Sequence, residues 1–307
     1  MDNKSTIKKV LIIGSKGFIG SHLIKHLENK KHLVFGADVM VDYTSENYFL
    51  VDATNADFHK IFEDQSFDWC INCSGAASVP DSLQNPARDF ELNSHNVFKI
   101  LSAIKEYSPL CRFLNLSSAA VYGNPEKLPV EESSTPNPMS PYGYHKQFSE
   151  RICEEYNRFF KVPTCSLRIF SAYGEGLQKQ LFWDLHKKVK SGNDIVLFGT
   201  GKETRDFIYI ADLVELIEIV CKFADFKGEA INAANGIEIT IEEVVTTFYK
   251  NYPNTVDFSF GGDPRKGDPS KWVADIKQIE KLGYRQKYSL KEGLKNYFNW
   301  LVKFEND

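Results

Sequence analysis

A glycine-rich turn between a short apolar strand and an amphipathic helix constrains the fold of this chain more than any other feature. The segment "KVLIIGSKGFIG" (9–20) places Gly14, Gly17 and Gly20 directly after the strand. One glycine permits a tight turn, one a close approach to the backbone, and one close packing of helix on strand. Because the first turn of a helix carries unpaired N–H groups and a partial positive charge, the segment predicts a helix N-terminus that faces an anion.

Strand-like and helix-like segments alternate from Lys9 to about Ala120. Helical periodicity is clear in "FIGSHLIKHLENK" (18–30) and "NVFKILSAIKEY" (96–107), each preceded by a short apolar run. Such alternation favours right-handed units that cover both faces of one parallel sheet. We predict an α/β fold with a doubly wound parallel sheet over residues 1–170. A smaller α/β lobe is predicted over 171–307, from which the chain partly crosses back to the first domain.

Composition argues against several classes of partner. The 307 residues carry a formal net charge of −4, which is not typical of a protein that binds nucleic acid or a membrane surface. No apolar run approaches the roughly 20 residues of a membrane span. The N-terminal "MDNKSTIKKV" lacks the apolar core of a secretory signal. We therefore expect no nucleic-acid or membrane partner.

The cysteines favour a reducing compartment. Cys70 and Cys73 have the spacing of a redox or zinc motif, but they lie in the strand-like run "FDWCINCSG" without a second pair of ligands. We interpret the cysteines as buried thiols, expect no metal, and expect a cytoplasmic protein.

The glycine turn and two acidic residues predict a dinucleotide site. Asp38 ends the second predicted strand, where a carboxylate can accept hydrogen bonds from an adenosine ribose and repel a 2′-phosphate. This favours NAD over NADP, and a P-loop is excluded because no Gly-Lys-Ser/Thr follows the glycines. Asp52, after the next strand, is a candidate contact for the adenine, and the alternative for each acid is a turn cap. The predicted cofactor residues are Gly14, Gly17, Phe18, Ile19, Gly20, Asp38, Asp52, Tyr142 and Lys146.

The segment "SPYGYHK" predicts a proton-transfer pair. Tyr142 and Lys146 are four residues apart, so a helix places them on one face. A neighbouring ammonium is expected to favour the phenolate of Tyr142, which then accepts a proton as hydride leaves the same carbon. Ser117 and Ser118 end a strand that we expect to neighbour the cofactor strand, where a hydroxyl can hydrogen-bond a reacting oxygen.

These motifs together identify a resemblance. The segments "GSKGFIG", "SSAAVYG", "PYGYHK", "RIFSAYG", "RDFIYIADL" and "RKGD" are similar to those of the extended short-chain dehydrogenase/reductases of the nucleotide-sugar epimerase/dehydratase family, over nearly the whole chain. The resemblance implies a Rossmann fold, a catalytic triad of Ser118, Tyr142 and Lys146, and a contact between Lys146 and the nicotinamide ribose. It also implies a nucleotide-diphosphate sugar as substrate and a role in polysaccharide biosynthesis.

The resemblance also assigns the substrate side. Arg205 and Arg265 are the candidates for the pyrophosphate, because arginine binds phosphate in a bidentate manner. The segment "LFG" (197–199), which contains Phe198, resembles the strand that packs against the nucleotide base in the family. Ser118 and Ser171 are further candidates for contacts with the substrate. The chain departs from the family at Ser171, where asparagine is usual, and at "SGAAS" (74–78), which replaces the commoner His-Leu-Ala-Ala.

Two alanines decide between reaction types. Dehydratases of the family carry Asp-Glu directly after the catalytic hydroxyl, whereas this chain has Ala119 and Ala120, whose methyl groups transfer no proton. We therefore favour an NAD-dependent 4-epimerase that acts through a transient 4-keto sugar. The alternatives are a 4-ketoreductase or 4-dehydrogenase with net redox change, and, further from the pattern, a 4,6-dehydratase or a non-catalytic NAD-binding protein.

The resemblance implies a homodimer formed by two helices per subunit, here around 93–107 and 144–159. One face of the first helix is apolar and suits such an interface, although burial in the core of one subunit explains it equally well. This face consists of Val97, Ile100, Leu101 and Ile104.

Overall fold

The N-terminal part of the chain alternates strands and helices. The computed structural model describes residues 7–192, 194–263 and 269–306. The first strands are β1 (Lys9–Ile13), β2 (Leu33–Asp38), β3 (Tyr48–Leu50), β4 (Trp69–Asn72), β5 (Arg112–Ser118) and β6 (Thr164–Ile169). The helices between them are α1 (Phe18–Asn29), α2 (His59–Asp64), α3 (Val79–Gln84), α4 (Pro86–Phe90), α5 (Asn96–Tyr107) and α6 (Pro141–Phe160). A π-helical turn (Glu91–His95) joins α4 to α5, and a 3-10 turn (Ala119–Tyr122) follows β5.

The C-terminal part has shorter strands and longer loops. Its strands are β7 (Ser171–Tyr173), β8 (Val196–Leu197), β9 (Thr204–Arg205), β10 (Phe207–Tyr209), β11 (Lys227–Ala233), β12 (Ile239–Thr240) and β13 (Ser259–Phe260). Its helices are α7 (Gln180–Ser191), α8 (Ile210–Phe223), α9 (Ile241–Tyr249), α10 (Lys277–Lys281) and α11 (Leu290–Asn306). Among the helices of the described ranges, none is long and apolar enough to cross a membrane.

Seven parallel strands form the central sheet, which confirms the predicted α/β class with a doubly wound, Rossmann-like sheet. The strand order is β11-β6-β5-β4-β1-β2-β3. The strand β11 comes from the C-terminal part of the chain and extends the sheet beside β6. The division into domains at residue 170 stays a prediction.

The strand order corrects one expectation about the catalytic strand. We expected β5, which ends in Ser117 and Ser118, to neighbour the cofactor strand β1, but β4 lies between them. The chain winds outward from β1 to β3 and then returns to the other side of β1, so β4 takes the adjacent position. Because strands in a sheet are about 4.8 Å apart, the serines lie two strand spacings from the glycine turn rather than one.

Apolar side chains of alternating direction build a core on each face of the sheet. In β1, Val10 and Ile12 pack into a cluster with α1 and α8, whereas Leu11 and Ile13 pack into a second cluster with α2 and α5. The two-residue period of a strand explains this split. Both faces are therefore covered, and the functional site is confined to the edge of the sheet where the strands end.

The apolar face of α5 proposed as an interface is buried within its own chain. Each of its four residues is at most 1% exposed, and all four belong to the core cluster shared with α2 and α6. Core burial was the alternative explanation, and it is the correct one for Val97, Ile100, Leu101 and Ile104.

Candidate active site

The turn between β1 and α1 has the shape of a phosphate cradle. Gly14 adopts a left-handed φ of +78°, and a Cβ on it would lie 2.6 Å from the backbone nitrogen of Ser74. A Cβ on Gly20 would clash with the carbonyl oxygen of Gly14. Glycine at both positions therefore permits α1 to pack directly on the turn and the turn to approach the segment after β4.

The N-terminus of α1 is open to an anion. Gly17 is its N-cap, makes no side-chain hydrogen bond to the helix, and is followed by Phe18 and Ile19. The first turn holds no acidic residue. Backbone N–H groups and the positive end of the helix dipole thus face the cradle, an arrangement that fits the pyrophosphate of a dinucleotide.

Asp38 lies beside this cradle at the end of β2. Its Oδ2 accepts a hydrogen bond from the backbone N–H of Lys16 at 2.8 Å, and its Oδ1 accepts one from that of Val39 at 2.7 Å. The ammonium of Lys16 instead pairs with Asp42. A carboxylate held at the edge of the glycine turn suits the ribose of NAD.

Asp52 lies in an exposed turn two residues after β3. Its Oδ1 accepts hydrogen bonds from the N–H and the hydroxyl of Thr54, both at 2.7 Å, and from the N–H of Asn55 at 3.3 Å. These bonds lower the pKa of the Asp52 carboxyl. The geometry is that of a turn cap, so a contact with the adenine stays a prediction.

Ser118 ends β5 and caps the 3-10 turn that follows. Its Oγ accepts a hydrogen bond from the N–H of Ala120 at 3.1 Å, and its hydroxyl lowers the pKa of Tyr142 against the larger effect of burial. Ser117, which points to the other side, donates to the buried carboxylate of Glu150 at 2.6 Å. Of the two serines, only Ser118 is therefore directed at the predicted base.

Tyr142 and Lys146 lie in the first two turns of α6. Ser140 caps this helix by accepting the N–H of Gly143 at 3.2 Å. The buried Lys146 donates from Nζ to the carbonyl oxygen of Leu116 in β5 at 2.9 Å, and Nζ lies 6.0 Å from the centre of the Tyr142 ring. Helix spacing thus brings Ser118, Tyr142 and Lys146 to the same end of β5.

Burial dominates the protonation of this pair. It raises the pKa of Tyr142 to about 12, while the hydrogen bond with Ser118 acts in the opposite direction. Burial also lowers the pKa of Lys146 to about 8. Nζ of Lys146 donates to the carbonyl oxygen of Leu116, and burial is the largest influence on the pKa of Tyr142. Further positive charge, such as an oxidised nicotinamide ring would supply, favours the phenolate here.

The segment after β4 lies against Lys146. Gly75 has a φ of +118°, and a Cβ on it would lie 2.5 Å from Oδ1 of Asn93 and 3.5 Å from Nζ of Lys146. Asn93 is 1% exposed, and neither polar atom of its side chain has a hydrogen-bond partner among the described residues. The sequence reasoning missed Asn93, although an amide between the apolar residues of "FELNSHNVF" was an available signal.

The alanines after Ser118 lie where a dehydratase carries its acid and base. Ala119 is fully buried in an apolar cluster with Phe170 and Ala274, and Ala120 is partly exposed. A carboxylate at 119 would be buried without a partner in this cluster, which costs several kcal/mol. The apolar surroundings of Ala119 therefore favour a methyl group over a carboxylate at this position.

The predicted substrate residues lie on separate elements of the C-terminal part. The guanidinium of Arg205 lies 5.5 Å from the ring centre of Trp272, whose indole donates to the carbonyl of Gly123 at 2.9 Å. Ser171 begins β7 and is partly exposed, and Phe198 follows β8 and is 70% exposed. Arg205 is thus linked through Trp272 to the loop after the catalytic strand. Arg265 lies outside the described residues.

The cysteines are free thiols. Five are buried and Cys73 is half-buried, and burial raises the pKa of Cys73 to about 12. The prediction of buried thiols is confirmed for five of the six cysteines. Within the described ranges, no group of His, Cys, Asp or Glu could hold a metal.

Comparisons with known proteins agree with this geometry. The model of the family described as the NAD dependent epimerase/dehydratase family matches residues 10–234. A Bacillus subtilis (strain 168) protein described as an uncharacterized UDP-glucose epimerase is 30% identical, with 95% of this chain and 98% of that protein covered. Among solved structures, UDP-glucuronic acid 4-epimerase from Bacillus cereus, in complex with UDP-glucuronic acid and NAD, is similar at a TM-score of 0.87. It is 26% identical, with 96% of this chain and 99% of that chain covered.

A second solved structure extends the comparison to another sugar. UDP-N-acetylglucosamine 4-epimerase from Methanobrevibacter ruminantium M1, in complex with UDP-N-acetylmuramic acid, has a TM-score of 0.87 and 25% identity. The match covers 97% of this chain and 99% of that chain.

Proposed function

The chain belongs to the NAD dependent epimerase/dehydratase family, and from this premise we propose that it is an NAD-dependent 4-epimerase of UDP-linked sugars. The observation that carries the proposal is the site at the end of β5. Ser118, Tyr142 and Lys146 meet there, and methyl groups occupy both positions that follow the serine. The UDP-sugar 4-epimerases that resemble the chain over nearly its whole length support the choice of substrate.

Tyr142 is the proposed acid and base. Its phenolate takes the proton of the C4 hydroxyl during oxidation, and the phenol so formed returns it during reduction, with Ser118 holding the reacting oxygen by a hydrogen bond. Lys146 keeps positive charge beside the phenol and, by the resemblance, binds the nicotinamide ribose. Because the same groups act in both directions, rotation of the 4-keto sugar between the two steps inverts C4.

The residues around the glycine turn would hold NAD. The cradle of Gly14, Gly17 and Gly20 would take the pyrophosphate at the N-terminus of α1, and Asp38 would take the adenosine ribose. When bound, NAD⁺ would supply an acceptor for the hydride that leaves C4 of the sugar, and its oxidised ring would add positive charge to the site. Since burial alone raises the pKa of Tyr142 to about 12, the phenol becomes an effective base only in the cofactor-bound protein.

Arg205 is the proposed anchor of the UDP pyrophosphate. Its stacking on Trp272 orients the guanidinium near the loop after Tyr122, and bidentate binding to phosphate suits this planar group. Ser171 and the exposed ring of Phe198 are proposed contacts of the pyrophosphate and the base, and Arg265 is a second proposed phosphate ligand. Because Ser171 has a shorter side chain than the asparagine usual in the family, its hydroxyl reaches less far toward the substrate.

A homodimer is also proposed, through the two predicted helices but not through the apolar face of α5, which is buried in the core. Large aromatic side chains on α4, α5 and α6 are exposed on neighbouring surfaces, each by at least 43% of its area. Burial of such a patch against a second copy removes apolar area from water. The residues are Phe90, Phe98, Tyr144 and Phe148. Sedimentation at several concentrations tests the dimer, and a Phe148→Glu variant is expected to be monomeric.

Incubation with a panel of UDP-sugars tests the function. We expect NMR of the products to show the C4 epimer of one or more UDP-hexoses, with no net change in nicotinamide absorbance. Stoichiometric consumption of the cofactor would instead identify the 4-ketoreductase or 4-dehydrogenase alternative. The Tyr142→Phe variant is the control that ties the activity to this site.

A further inference from the structure

A buried hydrogen-bonded pair, His145 and Asp89, adjoins Lys146. His145 directly precedes Lys146 in α6, and its Nδ1 lies 2.6 Å from Oδ1 of Asp89 in α4. Asp89 is 3% exposed and His145 is 9% exposed. The hydrogen bond therefore joins α4 to the turn of α6 that carries Tyr142 and Lys146, and water has little access to it.

The imidazole is fixed on several sides. Its ring contacts those of Phe90 and Phe148, with centroid distances of 5.4 and 6.2 Å. The carbonyl oxygen of His145 accepts a hydrogen bond from the hydroxyl of Ser94 at 2.9 Å, in the π-helical turn that follows α4. Both the side chain and the backbone of His145 are thus tied to the 86–95 segment.

The second carboxylate oxygen of Asp89, Oδ2, takes no part in the contact with His145. It is buried and has no hydrogen-bond partner among the described residues. A carboxylate whose only role was to hold His145 would gain nothing from an unpaired buried oxygen, because such an atom costs free energy. The position of the charge therefore requires another explanation.

The charge of Asp89 acts on both members of the catalytic pair. Burial lowers the pKa of Lys146, and Asp89 is the strongest charge that opposes this, ahead of Cys73 after β4 and Glu150 on α6. Burial raises the pKa of Tyr142, the hydrogen bond with Ser118 lowers it, and Asp89 raises it further. A negative charge increases the proton affinity of both groups, so its removal must shift both titrations to lower pH.

We propose that Asp89 and His145 form a positioning unit for Tyr142 and Lys146, in which the hydrogen bond fixes the first turns of α6 and holds a carboxylate beside the helix turn that carries the pair. Its catalytic consequence rests on the proposed function, but its electrostatic part is a property of the chain alone. Neither residue touches the reacting atoms in this assignment, and each acts through the lysine and tyrosine.

The charge is tested on the cofactor-free protein by Asp89→Asn, which keeps a hydrogen-bond acceptor for His145. NMR of protein with ¹³C-labelled lysine, assigned with Lys146→Met, follows the titration of Lys146 directly. We expect its midpoint to fall by roughly one pH unit. Asp212→Asn, which removes a buried carboxylate held by the N–H groups of Lys287 and Tyr288, is the matched control. An unchanged midpoint, or an equal fall in the control, overturns the role of the charge.

The positioning is tested by two substitutions of similar size. His145→Asn retains a donor near Nδ1, and we expect its kcat to stay within about threefold. His145→Leu leaves Asp89 unpaired, and its kcat is expected to fall at least tenfold with little change in KM. In Asp89→Asn, both limbs of the pH–rate profile should move to lower pH. Equal kcat for the two His145 variants overturns the positioning role. If the chain turns over no UDP-sugar, the lysine titration still decides the inference while the proposed function fails.

Discussion

The two ends of the proposed substrate site differ in how much of their chemistry depends on burial. At the catalytic end, Lys146 is 6% exposed and is held by a backbone carbonyl. At the nucleotide end, Phe198 is 70% exposed and Arg205 is half-buried against Trp272. Groups of the first kind have protonation set by the protein interior, whereas groups of the second kind are proposed to act by contact with the substrate.

This contrast separates two kinds of functional effect. Changes at the catalytic end should alter the chemical step, because hydrogen bonds and charges there act at low dielectric. Changes at the nucleotide end should alter binding of the substrate equally in ground and transition states, and so appear in KM. The following variants test this division in order of decreasing effect.

Removal of the Tyr142 hydroxyl should have the largest effect. Tyr142→Phe keeps the ring but removes the acid and base, so we expect kcat to fall about 10³-fold, equivalent to about 4 kcal/mol. Tyr144→Phe is the matched control, because Tyr144 lies on the same helix and is 47% exposed. Steady-state kinetics on the epimerised sugar measures both. Retained activity in Tyr142→Phe would refute the assignment of the base.

Loss of the buried ion pair between Arg168 and Glu150 should have the second-largest effect, and this effect is on the free energy of unfolding. Arg168 donates to both oxygens of Glu150, at 2.9 and 2.7 Å, from inside the protein. We expect Glu150→Gln to lower the free energy of unfolding by about 3 kcal/mol, since it leaves the guanidinium buried without a counter-charge.

The control for this variant lies one turn away on α6. Glu154 forms an exposed pair with Arg151 at 2.6 Å, and Glu154→Gln should cost less than about 0.5 kcal/mol. Urea unfolding of both variants gives the comparison. Equal losses would show that burial does not distinguish the two pairs.

Substitution of Arg205 should affect binding of the substrate. We expect Arg205→Met to raise KM about tenfold, about 1.4 kcal/mol, with kcat within about twofold. Arg158→Met is the control, because Arg158 also lies over an aromatic ring, that of Phe159 at 5.4 Å, but on the exposed end of α6. A large fall in kcat with unchanged KM would contradict the division between the two ends.

The smallest effect is expected at the cofactor acids, and it separates Asp38 from Asp52. Asp38→Asn removes the charge beside the glycine turn and should weaken NAD several-fold while reducing discrimination against NADP. Asp52→Asn should change NAD affinity by less than about twofold, because its carboxylate caps a local turn. Calorimetric titration with both cofactors measures the difference. A larger loss of NAD affinity in Asp52→Asn than in Asp38→Asn would support a contact between Asp52 and the adenine.

Local signals in the sequence predicted several elements well. The predicted helix "NVFKILSAIKEY" coincides with α5. Such signals depend on residues three or four apart, which the sequence displays directly. The glycine turn and the proximity of Tyr142 to Lys146 follow for the same reason.

Contacts between distant segments were predicted less well. The apolar face of α5 was equally compatible with an interface and with the core. A hydrophobic stripe on a helix indicates that the face is buried, but it does not identify the surface that packs against it. The strand order placed β4 between β5 and β1, contrary to expectation. The pairing of His145 with Asp89, 56 positions apart, had no signal in the sequence.

By itself, the sequence determined the α/β class, the glycine-rich turn and the family, and it predicted the residue types proposed for proton transfer, since each depends on short-range spacing. The tertiary structure decided which strands are neighbours, which apolar face is buried, and how Lys146 is held by Leu116 rather than by Tyr142. The reason is physical: burial and charge at a site are summed over all the segments that pack around it. The sequence lists those segments, and only the folded chain brings them together.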